Sequence, residues 1–106
     1  MNDRGAIVKE KIAAIEAEMR RIGLWQEEPL PKRAYDYTLA FAQDSMAFHQ
    51  WLQFVFIPQV KKMAEDYEEL PKMSRVSPAA VRAFEGWDKG SRLIVLLKEF
   101  DNLFVQ

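Results

Sequence analysis

His49 is the sole histidine of the chain, and there is no cysteine. A two-histidine metal motif, a thiolate site, a cysteine nucleophile and a disulfide are therefore excluded. A Ser-His-Asp arrangement could be built only around this one imidazole. His49 falls on the polar side of the aromatic-rich run DSMAFHQWLQFVFIP, residues 44–58, where a surface or hydrogen-bonding role explains it more simply than catalysis. Aspartate and glutamate total 16, but they are spread over helical faces as solubilising charge, and no pair is spaced as a general acid with its base. Gly86 and Gly90 lack the Lys-Ser/Thr that follows the glycines of a phosphate loop. These residues give no reaction, cofactor or metal, and a non-enzymatic protein is expected.

Binding chemistry has two sets of candidates. The basic pairs Arg20-Arg21, Lys32-Arg33 and Lys61-Lys62 each stand near aromatic residues, and they could meet a phosphate backbone if folding gathers them. Each pair also reads as ordinary solvated charge, and a formal net charge of -1 supplies no global positive field for RNA or anionic lipid. The second set is the sector of His49, Gln50 and Gln53, which on a straight helix also carries Ile57 and Val60, with Gln59 beside them. Apolar residues left outside there would mark a protein-partner surface.

The elements that must position these residues are helical. Val8, Ile12, Ile15, Met19 and Ile22 recur at helical spacing in a first helix from about Asp3 to Ile22, ended by Gly23 in a Schellman turn that places Leu24 against Met19. That seam is open to a second copy of the chain but suits neighbouring helices of its own chain better. Residues 25–43 form a long connection containing Pro29 and Pro31, with a helical turn expected within 34–40. Trp25, Tyr35, Tyr37, Leu39 and Phe41 should tack it to the core.

Asp44 is expected to cap a central second helix, in which Phe48, Trp51, Leu52 and Val55 share a face. Pro58 should kink or break that helix, turning the stripe of Val60, Met63, Ala64 and Tyr67 toward a different neighbour. Lys61 and Lys62 are placed to pair with Glu65 and Asp66. A loop from Leu70-Pro71 to Val76 leads to a short third helix capped by Ser77 ahead of Pro78, with Val81, Phe84 and Trp87 inward. Gly86 and Gly90 separate it from a last helix starting near Asp88 or Ser91, striped by Leu93, Leu96, Leu97, Phe100, Leu103 and Phe104. No stretch alternates like a strand.

A chain of 106 residues with 49% hydrophobic and 29% charged residues fits one globular domain, residues 1–106. The N-terminus has no continuous apolar signal segment. The longest aliphatic or aromatic runs, Phe54–Ile57 and Leu93–Leu97, are far too short to span a bilayer, so a soluble cytoplasmic protein is expected.

The string D-S-M at Asp44–Met46, followed by Q-W-L-Q-F-V-F-I-P at Gln50–Pro58, resembles the signature of the YqcC-like family of small bacterial proteins. Trp25 before the proline-bearing loop, Phe41, Leu70-Pro71, Pro78 and the terminal F-D-N-L-F fall where that family has similar features, so nearly the whole chain is covered. Gln59 departs from the arginine common there, which weakens any phosphate or acidic-partner role at that position. The resemblance implies an all-α, up-and-down bundle of about four helices. It also brings a label of tRNA pseudouridine synthase, through association with such an enzyme. That activity does not transfer, because the chain has neither an R-L-D-type motif nor strands to hold a catalytic aspartate. The expectation is an accessory or protein-interaction module, with a pseudouridine synthase as candidate partner. An RNA-binding accessory domain using the basic pairs is the alternative.

Overall fold

Every seam residue of the first helix is buried in the computed structural model, which describes residues 4–66, 70 and 72–104. Helix α1 spans Arg4–Arg21. It closes as its sequence requires: Gly23 takes φ 81°, and Leu24 N–H donates to the Met19 carbonyl at 2.9 Å while Gly23 N–H reaches Arg20 at 3.3 Å. These are the two bonds of a Schellman motif, and glycine alone adopts that φ without steric cost.

The connection then makes two 3₁₀ turns, Lys32–Tyr35 and Ala40–Ala42. Phe41 and Ala42 hold φ of 57° and 55°, a left-handed conformation that costs roughly 1–2 kcal/mol for each such residue. Packing holds them there. The Phe41 ring stands edge-on to Trp51 with centroids 4.9 Å apart, and Ala42 is fully buried beside Ala34 and Met46. Trp25, Tyr37 and Phe41 do tack the connection down, but Tyr35 and Leu39 are exposed.

The central helix is continuous in backbone from residue 48 to residue 66, in three parts: α2 (Phe48–Trp51), a π-helical turn (Leu52–Phe56) and α3 (Ile57–Asp66). The disturbance expected from Pro58 is therefore a widened turn ahead of it, not a break. Ile57 N–H donates to Leu52, five residues back, and Ile57 keeps helical dihedrals of −61° and −48°. The extra residue in the turn makes room for the proline ring and shifts the phase of α3 relative to α2. Ile57, Val60 and Ala64 then face the core under α1, while Leu52 and Phe56 are buried as well.

Asp44 does not cap this helix, which begins after Ala47. The Gln50 side chain accepts the Ala47 N–H at 2.8 Å, the return half of a capping box. Asp44 instead gathers the connection, accepting from Thr38 N–H at 2.9 Å, Thr38 Oγ1 at 3.0 Å and Leu39 N–H at 3.3 Å. Its role is still to satisfy backbone donors, but in a loop.

Helix α4 spans Ser77–Ala83, and a 3₁₀ turn at Asp88–Gly90 leads into α5, Ser91–Asn102. The inward face of α4 is Ala79, Ala80 and the following Phe84, whereas Val81 and Trp87 point outward. Ala80 and Phe84 set the buried stripe, and Val81 lies a step around the cylinder from it. Gly90 is needed for close approach, since a Cβ there would lie 3.0 Å from that of Phe84. Antiparallel α1 and α5 are fastened by Lys11 to Glu99 at 2.8 Å and by Arg4 to the Leu103 carbonyl at 2.5 Å.

The described residues form no strand, so the fold is an all-α bundle of four helices, with the central one counted as a unit. One core joins α1, the central helix, α4 and α5. A row of rings runs through it from Phe41 by way of Trp51, Phe56 and Phe100 to Phe104, each 4.9 to 5.4 Å from the next. No helix among the described residues is long and apolar enough to cross a membrane. Tyr67 and Pro71, expected from the sequence in a stripe and a loop, lie outside the described residues, as does Asp3; nor is the Asp66 side chain described.

Candidate functional site

The six residues of the candidate partner surface do not share a solvent face. Gln53, Ile57 and Val60 are buried by the chain itself, His49 and Gln50 are half-buried, and only Gln59 is exposed. The apolar pair is covered because α1 packs on α3. Gln53 is covered because the connection returns over it. Its Oε1 accepts from Gln26 N–H at 3.0 Å and its Nε2 donates to the Gln26 carbonyl at 2.7 Å, while Gln50 Nε2 donates to the Gln26 side chain at 3.1 Å.

This pair of bonds mimics a strand neighbour for a single residue and pins the connection to the central helix. Gln53→Leu leaves both backbone groups of Gln26 unmatched, each worth about 1–3 kcal/mol when buried. Partial access of water near Gln26 keeps the expected loss to about 2 kcal/mol, seen as a lower urea midpoint and faster amide exchange at Gln26.

The basic pairs are divided among local partners. Arg20 Nε and Lys61 Nζ both reach Glu16, at 3.1 and 3.3 Å, so α1 and α3 meet there across one carboxylate. Lys61 thus turns to α1. Arg20 also lies over the Trp25 ring, 4.6 Å from its centroid. Arg21 forks onto buried Glu18 at 2.7 and 2.5 Å. Lys32 and Arg33 are exposed on the first 3₁₀ turn, with Arg33 lining a cleft that contains Asp44, and Lys62 is exposed on α3. Only Arg20 and Lys61 are brought together, around an acid that offsets them.

The titratable groups shift for structural reasons. The Arg21 hydrogen bonds hold Glu18 below the usual carboxylate range, the Thr38 backbone N–H does the same for Asp44, and Lys11 for Glu99. Burial pushes His49 down. All four bind protons more readily in the unfolded chain, so their contributions are complete above the ordinary histidine pKa of 6.5 and decline as pH falls. The carboxylate share is lost below about pH 4.5. Urea midpoints should therefore drop from about pH 7 to about pH 3, and Glu18→Gln should make the acidic limb shallower.

A surface feature with no mark in the sequence lies where α3 passes the residues leading into α4. Phe56, Val60, Met63 and Phe100 floor a cavity of about 270 Å³ that Phe41 and Met73 wall. Gln59 and Arg75 stand at its rim. A wider cleft of about 550 Å³ shares Met73, Ser74 and Arg75 and adds Lys72, Asp101, Asn102 and Phe104. Met73 is the most exposed large apolar side chain described, at 61%. In the sequence it is one methionine in an unstructured stretch, and nothing there connects it to Phe41.

A family model described as tRNA pseudouridine synthase C matches residues 7–103. An uncharacterised protein of Haemophilus influenzae is 27% identical over 95 residues, covering 90% of each chain. The uncharacterised protein YqcC of Escherichia coli is 31% identical over 100 residues, covering 92% of this chain and 90% of that one. A protein of Pectobacterium carotovorum named tRNA pseudouridine synthase C is 31% identical over 65 residues, which are 61% of this chain but only 17% of that protein. No solved structure matches. With the match running through α1 to α5 and the full-length likeness to YqcC, the chain belongs to the YqcC-like family of small, functionally uncharacterised proteins.

Proposed function

We propose that this chain is a non-enzymatic interaction module of the bacterial cytoplasm that works beside a tRNA-modifying enzyme of the pseudouridine synthase kind. The observation that carries this reading is the Pectobacterium relative, in which a segment like this one makes up 17% of a chain named for that activity. A module tethered in the same polypeptide meets its neighbour at effective concentrations of order mM. Without such a tether, a module must supply an interface of its own to do so. Direct RNA binding is less well supported, since Arg20, Arg21 and Lys61 are engaged by Glu16 and Glu18.

The test is purification of the tagged protein from its native cell, at normal expression and low stringency. Recovery of a pseudouridine synthase in stoichiometric amount, surviving RNase and moderate salt, is expected. Recovery of the protein alone or only as copies of itself, or loss of the enzyme on RNase treatment, overturns the reading.

A further inference from the structure

We propose that the cavity walled by Phe41 and Met73 receives an acidic peptide segment of the partner, one bulky apolar side chain entering the cavity and its flanking carboxylates meeting Arg75 and Lys72. This rests on the reading of the chain as a protein-interaction module and names the chemistry that the module would recognise. The shape comes first. The floor is core, formed by Phe56, Val60 and Phe100, all buried, so the depth of the cavity is fixed by the bundle. The rest of the lining is adaptable, because Met63 beside that floor and Met73 in the wall are unbranched and polarisable, the side-chain type that repacks around differing apolar guests.

Phe41 adds a second observation. Its left-handed backbone is held by Trp51, and the resulting ring position forms a wall of the cavity. Backbone held away from its preferred region concentrates at ligand clamps. A volume of about 270 Å³ suits one aromatic or aliphatic anchor better than a whole cofactor.

Charge then selects the partner. Neither Arg75 nor Lys72 has an ion pair or side-chain hydrogen bond among the described residues, whereas Arg20, Arg21, Lys11 and Lys61 all do. Arg75 lines both the cavity and the adjoining cleft, and Lys72 lies farther along that cleft. The carboxylate that lines the same cleft, Asp101, is already committed to Ser74 and two backbone N–H groups. Cations beside an apolar hole are complementary to an anchor residue set between acids. The open, two-part groove accommodates a chain running past it.

The probe is an equimolar hexapeptide library with Leu, Ile, Met, Phe or Trp at one central position and Asp or Glu at the flanks, titrated into protein labelled at the methionine methyls. Saturable shifts of the Met63 and Met73 methyls are expected, with a dissociation constant raised about tenfold by Arg75→Glu and by added salt. Both Met73 and Arg75 are exposed, so Met73→Lys and Arg75→Glu should leave the urea midpoint unchanged and report on binding alone. No shift with the library, equal shifts with a lysine-flanked library, or tighter binding of octanoate than of any peptide pool overturns the proposal.

The two readings are separated in the native cell. If the synthase is recovered equally with wild type and with Arg75→Glu, this cavity is not the interface although the association stands. If no synthase is recovered while the peptides bind, the association fails and the peptide site stands.

Discussion

Replacing Asp101 by alanine should lower the free energy of unfolding by about 3–5 kcal/mol, because two buried backbone N–H groups lose their acceptor at about 1–3 kcal/mol each and a hydroxyl loses its partner as well. The carboxylate sits at the end of α5. It accepts from Val76 N–H at 3.0 Å, Ser77 N–H at 2.8 Å and Ser74 Oγ at 2.5 Å. An acid in the last turn of a helix opposes that helix's own dipole. Here it serves the positive end of a different helix. The N-cap position of α4 is occupied by Val76, which has no capping side chain, so the cap arrives from α5 across the fold. Helix α4 has only seven residues, too few to persist alone in water, and its position depends on this contact and on Ala80 and Phe84. Equilibrium urea unfolding measures the loss, and amide exchange at Val76 and Ser77 localises it. Asp101→Asn should recover part of the loss, since one oxygen remains while the amide nitrogen faces a donor. A loss below about 1 kcal/mol for Asp101→Ala would show that water replaces the carboxylate and that α4 is held by packing alone.

How much of this could be read from the residues depends on distance along the chain. The Schellman ending of α1 is written in Gly23 and Leu24, and the start of α5 in Gly86 and Gly90, because those signals act over a few residues. The Ser77-Pro78 pair marks where α4 starts, but Ser77 is its first residue and not its cap, because Val76 holds the N-cap position. The capping group itself comes from Asp101, 24 residues away, and local patterning cannot supply that. A hint was present nonetheless: Asp101 falls between Leu97 and Phe104 at spacings of four and three, so an acid occupies the apolar stripe of α5. Gln53 gives the same hint within the aromatic run. Both polar residues belong to the interior because distant backbone meets them there.

Proline chemistry predicts that something must yield near Pro58 but not whether it is a break or a π turn, a choice made by what α1 and the connection cover on either side. The left-handed Phe41 and Ala42 carry no sequence mark at all, since neither is glycine or asparagine. The cavity went unread with them, since Phe41 and Met73 line it together from distant parts of the chain.

The Phe100→Ala variant tests whether the row of rings is the spine of the bundle. Phe100 is wholly buried, with Phe56 at 5.1 Å in an edge-to-face arrangement and Phe104 at 5.1 Å on its other side. Removing a buried ring costs about 3–5 kcal/mol through lost transfer energy plus the void that remains. The upper part of that range is expected here, because the neighbours come from the turn that follows α5 and from the π turn, and neither backbone can collapse without disturbing hydrogen bonds. Phe100→Leu keeps most of the volume and should cost less than about 1.5 kcal/mol. The denaturant slope should stay constant in both, since the same surface is exposed on unfolding. A double-mutant cycle with Phe56→Ala isolates the ring pair, for which a coupling of about 0.5–1.5 kcal/mol is expected. Strict additivity would mean that the rings only fill space. In that case the π turn, not the aromatic contact, aligns the central helix with α5.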